Sequence, residues 1–70
     1  MDGIKMAYNF GLKVAEKRKA LGMTQMNLAD ATDIAPNMIS AYESGRHIPN
    51  IETAERILNG LGCRFEIVNL

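Results

Sequence analysis

Seventy residues, 47% of them apolar, make one domain with a thin core, because a chain of this size buries only about 60% of the surface it exposes when unfolded. A single cysteine (Cys63) and a single histidine (His47) exclude a disulfide framework and a His/Cys metal site as added supports, which leaves association with a second copy. Eight basic residues balance eight acidic ones, so the overall basic excess usual for nucleic-acid binding is missing. The distribution is uneven: Lys13, Lys17, Arg18 and Lys19 crowd the first third, and Glu52 and Glu55 come late.

Neither an apolar run near the roughly 18 residues of a membrane span nor a basic-then-apolar leader is present, so a cytoplasmic protein with no membrane partner is expected. Ile4, Ala7, Gly11, Val14, Arg18 and Leu21, with Phe10 beside them, recur at three- and four-residue steps and predict an amphipathic first helix ending near Gly22. Thr24 offers an N-cap oxygen for a short second helix, Gln25 to Thr32, with Leu28 and Ala29 inward. Asp33-Ile34-Ala35 leaves room only for a tight turn, and Asp tolerates positive φ.

Pro36 suits the first position of a third helix, whose inward residues are Ile39 and Tyr42 and whose stop is Gly45. Arg46 to Pro49 then form a loop. Asn50 caps a fourth helix with Ile51, Ala54, Ile57, Leu58 and Leu61 at helical spacing. After Gly62 the period changes to two: Cys63, Phe65 and Ile67 alternate with Arg64, Glu66 and Val68, as in a half-buried strand. No second strand is readable, so its expected partner is the same strand of another copy, with Cys63, Phe65 and Ile67 at the dimer contact. The chain thus divides into a helical unit, residues 1–62, and a dimerisation strand, residues 63–70.

Two short helices joined by a tight turn let the second enter a major groove while the first crosses the backbone. The residues Gly22-Met23-Thr24-Gln25, Leu28-Ala29, Ile39-Ser40, Glu43-Ser44-Gly45 and Pro49-Asn50-Ile51-Glu52-Thr53 resemble the Cro/phage-repressor (XRE) helix-turn-helix family, over Phe10 to Leu61. The resemblance implies a mainly α fold, a four- to five-helix bundle of the lambda-repressor-like helix-turn-helix type. To it the periodicity adds the short C-terminal β-strand pairing across a dimer. It also implies a sequence-specific DNA-binding regulator, a homodimeric repressor on a palindromic operator of double-stranded DNA.

Carried over residue by residue, the family pattern sets Gln25 at a phosphate, where the N–H groups opening the second helix add to its amide. The DNA-facing positions of the third helix are Ala35, Pro36, Asn37, Ser40, Ala41 and Ser44. Asn37 is the base reader, since a carboxamide can bond adenine N6 and N7 together, and Pro36 and Ala41 offer apolar contact to thymine methyls. Long polar side chains are scarce at these positions, which shifts part of the specificity to DNA shape. Arg46 and His47 follow in a loop that lies on the sugar-phosphate backbone.

A charge on the core-facing stripe needs a partner, and Glu43 is the natural one for Arg18. The family implies the same ion pair between the first and third helices. No phosphate loop, carboxylate pair or nucleophile with its base is present, and Ser40 lacks a His/Asp companion, so no enzyme and no cofactor or metal is expected. The alternative function is that of an antitoxin that neutralises a toxin protein by binding it and regulates its own operon. The final strand resembles that of HipB-type antitoxins.

Overall fold

The computed structural model describes residues 3–66 of the chain, and the side chains of residues 9–66. Helix α1 (Gly3–Ala20) ends two residues before Gly22, which takes φ 71° and lets Met23 N–H reach back to the Arg18 carbonyl at 3.0 Å. That left-handed step satisfies an end carbonyl and turns the chain. The Thr24 side chain caps α2 (Gln25–Thr32): its Oγ1 accepts from Asn27 N–H and Asn27 Oδ1 accepts from Thr24 N–H, both at 2.9 Å. This reciprocal box ties off two otherwise orphaned donors.

Asp33 closes α2 at φ 57°, with Ile34 N–H donating to the Ala29 carbonyl at 3.2 Å. Ala35 is extended, as a residue before proline prefers, and Pro36 opens α3 (Pro36–Ser44), which Gly45 ends at φ 79°. Only Asp33 and Ala35, with Ile34 between them, separate α2 from α3. Asn50 Oδ1 accepts from Thr53 N–H at 2.8 Å and starts α4 (Ile51–Gly60).

The core is formed by Val14 of α1, Leu28 and Ala29 of α2, Ile39 of α3, Ile57 of α4 and Leu61 just beyond it. Phe10, Met23, Ile34, Tyr42 and Cys63 pack around this centre. α1 lies against α3, and α2 lies against both α3 and α4. Two glycines permit the approach. A Cβ on Gly11 would stand 2.7 Å from the Glu43 carbonyl oxygen, and one on Gly60 would stand 2.5 Å from the Thr32 methyl. Either distance is well inside van der Waals contact, so α1 meets the backbone of α3 where only glycine fits.

Two expected core positions are corrected. Leu21 is 49% exposed, because the helix has already ended and the chain there turns away from the stripe's direction. Ile51 is 74% exposed: it is the first residue of α4 and projects past the edge of the bundle. The four helices make the fold mainly α, and among the described residues none is a strand. Cys63 to Glu66 run as non-helical chain; Ile67, along with Val68, lies outside the described residues. A strand whose ladder requires a second copy has no hydrogen-bond partner within one chain. No helix of the described residues is long and apolar enough to cross a membrane.

Candidate nucleic-acid interface

The tight turn at Asp33 sets α3 across α2 with its inner face locked in the core through Ile39 and with Tyr42 at the core margin. The opposite face is then presented outward. Ala35, Pro36, Asn37 and Ser44 are exposed along it, and Ser40 is half-buried at its centre. The first turn of α3 has no side-chain cap, so the Asn37 carboxamide is not consumed in holding the helix start.

Ala41, expected on this face, is buried at 4% exposure and is removed from the candidate contacts. Its position lies at the margin of the outer arc, and the chain after Gly45 returns to its carbonyl. The Ala41 carbonyl accepts N–H bonds from Arg46 at 3.0 Å and His47 at 3.3 Å, and the Ser44 hydroxyl donates to the same carbonyl at 3.1 Å. The Ser44 side chain is therefore engaged with its own helix. Arg46 and His47 themselves are exposed, with their backbone pinned to α3 while their side chains point into solvent.

Behind this face sits a buried charge network. Arg18 donates from Nε to Glu43 Oε2 at 2.7 Å, from Nη2 to Glu43 Oε1 at 2.9 Å and from Nη1 to the Met23 carbonyl at 2.8 Å. The side chains of Arg18 and Glu43 are only 9% and 6% exposed. Burial by itself would push the Glu43 carboxyl up. The hydrogen bonds from Arg18 and Gln25, with the charges of Arg18 and Lys19, outweigh it and hold the group below its ordinary value. The hydrogen bond to Glu43, against the opposing effect of burial, raises the Arg18 guanidinium still further, so the pair stays ionised.

Gln25, at the first position of α2, is half-buried, and its Nε2 donates to Glu43 Oε1 at 3.0 Å. Arg18 of α1, Gln25 of α2 and Glu43 of α3 thus meet on one carboxylate. The model of a family described as helix-turn-helix matches residues 14–68, which takes in both short helices, the turn between them and this network. The chain belongs to the helix-turn-helix family, of the XRE type.

This helix-turn-helix chain is 41% identical over 49 residues to an uncharacterized HTH-type transcriptional regulator of Methanothermobacter thermautotrophicus, covering 70% of this chain and 71% of that one. It is also 30% identical over 66 residues to multiprotein-bridging factor 1 of Debaryomyces hansenii, covering 94% of this chain and 44% of the relative. The human endothelial differentiation-related factor 1 is 32% identical over 61 residues, covering 87% of this chain and 41% of its own. The chain spans less than half the length of these last two relatives.

Three features of the helix-turn-helix site lay outside the sequence reading. Asn27 completes the α2 cap, and its signal was the spacing of three from Thr24. Gly11 and Gly60 admit close packing, for which a glycine inside a helical pattern is a weak sign. The Gln25 bond to Glu43 had no sequence signal, since the two residues are 18 apart. Among the described residues no three His, Cys, Asp or Glu side chains gather to hold a metal ion.

Proposed function

We propose that this protein is a sequence-specific DNA-binding transcriptional regulator, a homodimer that represses by occupying a palindromic operator. The observation that carries the reading is the outward face of α3, Ala35, Pro36, Asn37, Ser40 and Ser44, held at a tight turn from α2 in a chain of the helix-turn-helix family. In this reading α3 enters the major groove and Asn37 bonds a base edge. Gln25 with the first N–H groups of α2, and Arg46 and His47 beyond α3, take phosphates. Two copies joined through Cys63, Phe65 and Ile67 set their recognition helices about 34 Å apart, in successive major grooves. The names of the relatives, a transcriptional regulator and bridging factors, support gene regulation over toxin neutralisation.

Selection of bound sites from random duplexes tests the proposal. A two-fold-related site with half-sites one helical turn apart is expected. Asn37→Ala is then expected to relax preference at one base pair per half-site by about 1–3 kcal/mol. Recovery of no preferred site, or an unchanged profile for Asn37→Ala, would overturn the assignment of α3 as reader.

A further inference from the structure

The buried carboxylate of Glu43 sits between a structural partner, Arg18, and the half-buried Gln25, and its hydrogen bonds are unequal. Oε2 accepts one bond, from Arg18 Nε at 2.7 Å. Oε1 accepts two, from Arg18 Nη2 at 2.9 Å and from Gln25 Nε2 at 3.0 Å. The forked guanidinium holds the carboxylate in one plane, since its two parallel N–H groups match the two oxygens. A third guanidinium nitrogen, Nη1, is anchored to the Met23 carbonyl at 2.8 Å, two residues before Gln25. The carboxylate is therefore a fixed acceptor and Gln25 is the movable member of the set.

A glutamine amide can be turned by half a revolution about its terminal bond, which exchanges oxygen for nitrogen. Facing an ionised carboxylate the two orientations are unequal: one makes a charge-assisted N–H bond, and the other sets two acceptors against each other. Glu43 stays ionised because of Arg18 and Gln25 together, and so it selects the first orientation. One Nε2–H is then spent inward, and the other remains at the start of α2, where the uncapped N–H groups of the first turn also point.

We propose that Glu43 is a positioning residue for DNA binding: held by Arg18, it orients the Gln25 amide so that its second N–H is ready for a phosphate oxygen. This rests on the phosphate role given to Gln25 above. Glu43 never touches DNA in this arrangement. It links the packing of α1 on α3 to the phosphate contact of α2, and it orders that contact before DNA arrives, so less side-chain freedom is lost on binding.

The test is a double-mutant cycle on DNA affinity with Gln25→Ala, Glu43→Gln and their combination, each measured under conditions where circular dichroism shows the variant folded. Glutamine at position 43 keeps the shape of the side chain but can donate or accept, so it no longer selects one orientation of the Gln25 amide. In the parent protein Gln25→Ala should weaken binding about five- to tenfold, equally on preferred and random duplexes. In the Glu43→Gln background the same replacement should cost under about twofold. If Glu43→Gln does not fold, Arg18→Met with Glu43→Gln supplies the background, because removing both charges leaves none buried alone.

Equal costs of Gln25→Ala in both backgrounds would overturn the positioning role and leave Glu43 a fold-holding residue only. Gln25→Ala without effect in the parent protein would instead overturn the phosphate role itself. The two failures are thus read from different arms.

Discussion

At the scale of single residues, the Arg18–Glu43 pair has the largest energetic stake. Glu43→Ala leaves a guanidinium charge in a site where its side chain is 9% exposed, and a loss of about 3–5 kcal/mol is expected in urea denaturation. Joint replacement of both by apolar residues of similar volume is expected to be nearly neutral. Equal losses in the single and joint variants would show that the two side chains do not stabilise each other. The pair also sets a pH dependence. Glu43 is held below its ordinary value in the folded chain, so its contribution is complete above the unfolded carboxylate's pKa and is lost as pH falls through the lowered folded value. The acid limb of stability against pH should therefore flatten in Glu43→Gln. An acid limb of unchanged slope would assign acid unfolding to other carboxylates.

At the scale of elements, the contact of α1 with α3 is limited by backbone and that of α4 with α2 by a side chain. A Cβ at position 11 meets the carbonyl oxygens of Tyr42 and Glu43 in the last turn of α3, and backbone at that place yields only if the end of the helix moves. Gly11→Ala is expected to cost about 3 kcal/mol or more. At position 60 the obstacle is the Thr32 methyl, on a side chain whose hydroxyl donates to the Leu28 carbonyl at 2.7 Å. Alanine there gains less than the roughly 1 kcal/mol of a helix interior, because position 60 is the last of α4, and this offsets a small part of the displacement, so a net loss of about 1–2 kcal/mol is expected. Thermal melts of the two variants decide between these origins. A Gly60→Ala loss as large as that of Gly11→Ala would show that the α1 to α3 approach is not the tighter one.

At the scale of the whole molecule, the thin core and the alternation of Cys63, Phe65 and Ile67 both direct attention to a second copy. Val14, Leu28, Ala29, Ile39, Ile57 and Leu61 are few residues with which to hold four helices, while Phe65 is 48% exposed at the end of the described chain. Deleting Arg64 to Leu70 is expected to weaken self-association in sedimentation at micromolar concentration. Affinity for a full operator should fall with it, and affinity for one half-site much less, because joined copies dock the second helix as an intramolecular step. An intact chain that sediments as a monomer would overturn the dimer proposal. A truncated chain that associates as tightly as the intact one would move the contact to the helices.

How much of this was legible without coordinates follows from the range of the forces involved. Helix starts and stops are set by neighbours within a turn, and Thr24, Asp33, Pro36, Gly45 and Asn50 mark them as the sequence predicts. The family pattern is likewise written in residues at fixed spacing, and Arg18 on an apolar stripe calls for an opposite charge by itself. Burial depends on what lies above a residue. Ala41 is buried at the margin of an outward arc, and Leu21 and Ile51 turned outward because helical periodicity continues on paper past the ends of the core. The meeting of Gln25 with Glu43 was decided only by the tertiary structure, since packing α1, α2 and α3 around one carboxylate brings together residues that no local rule connects.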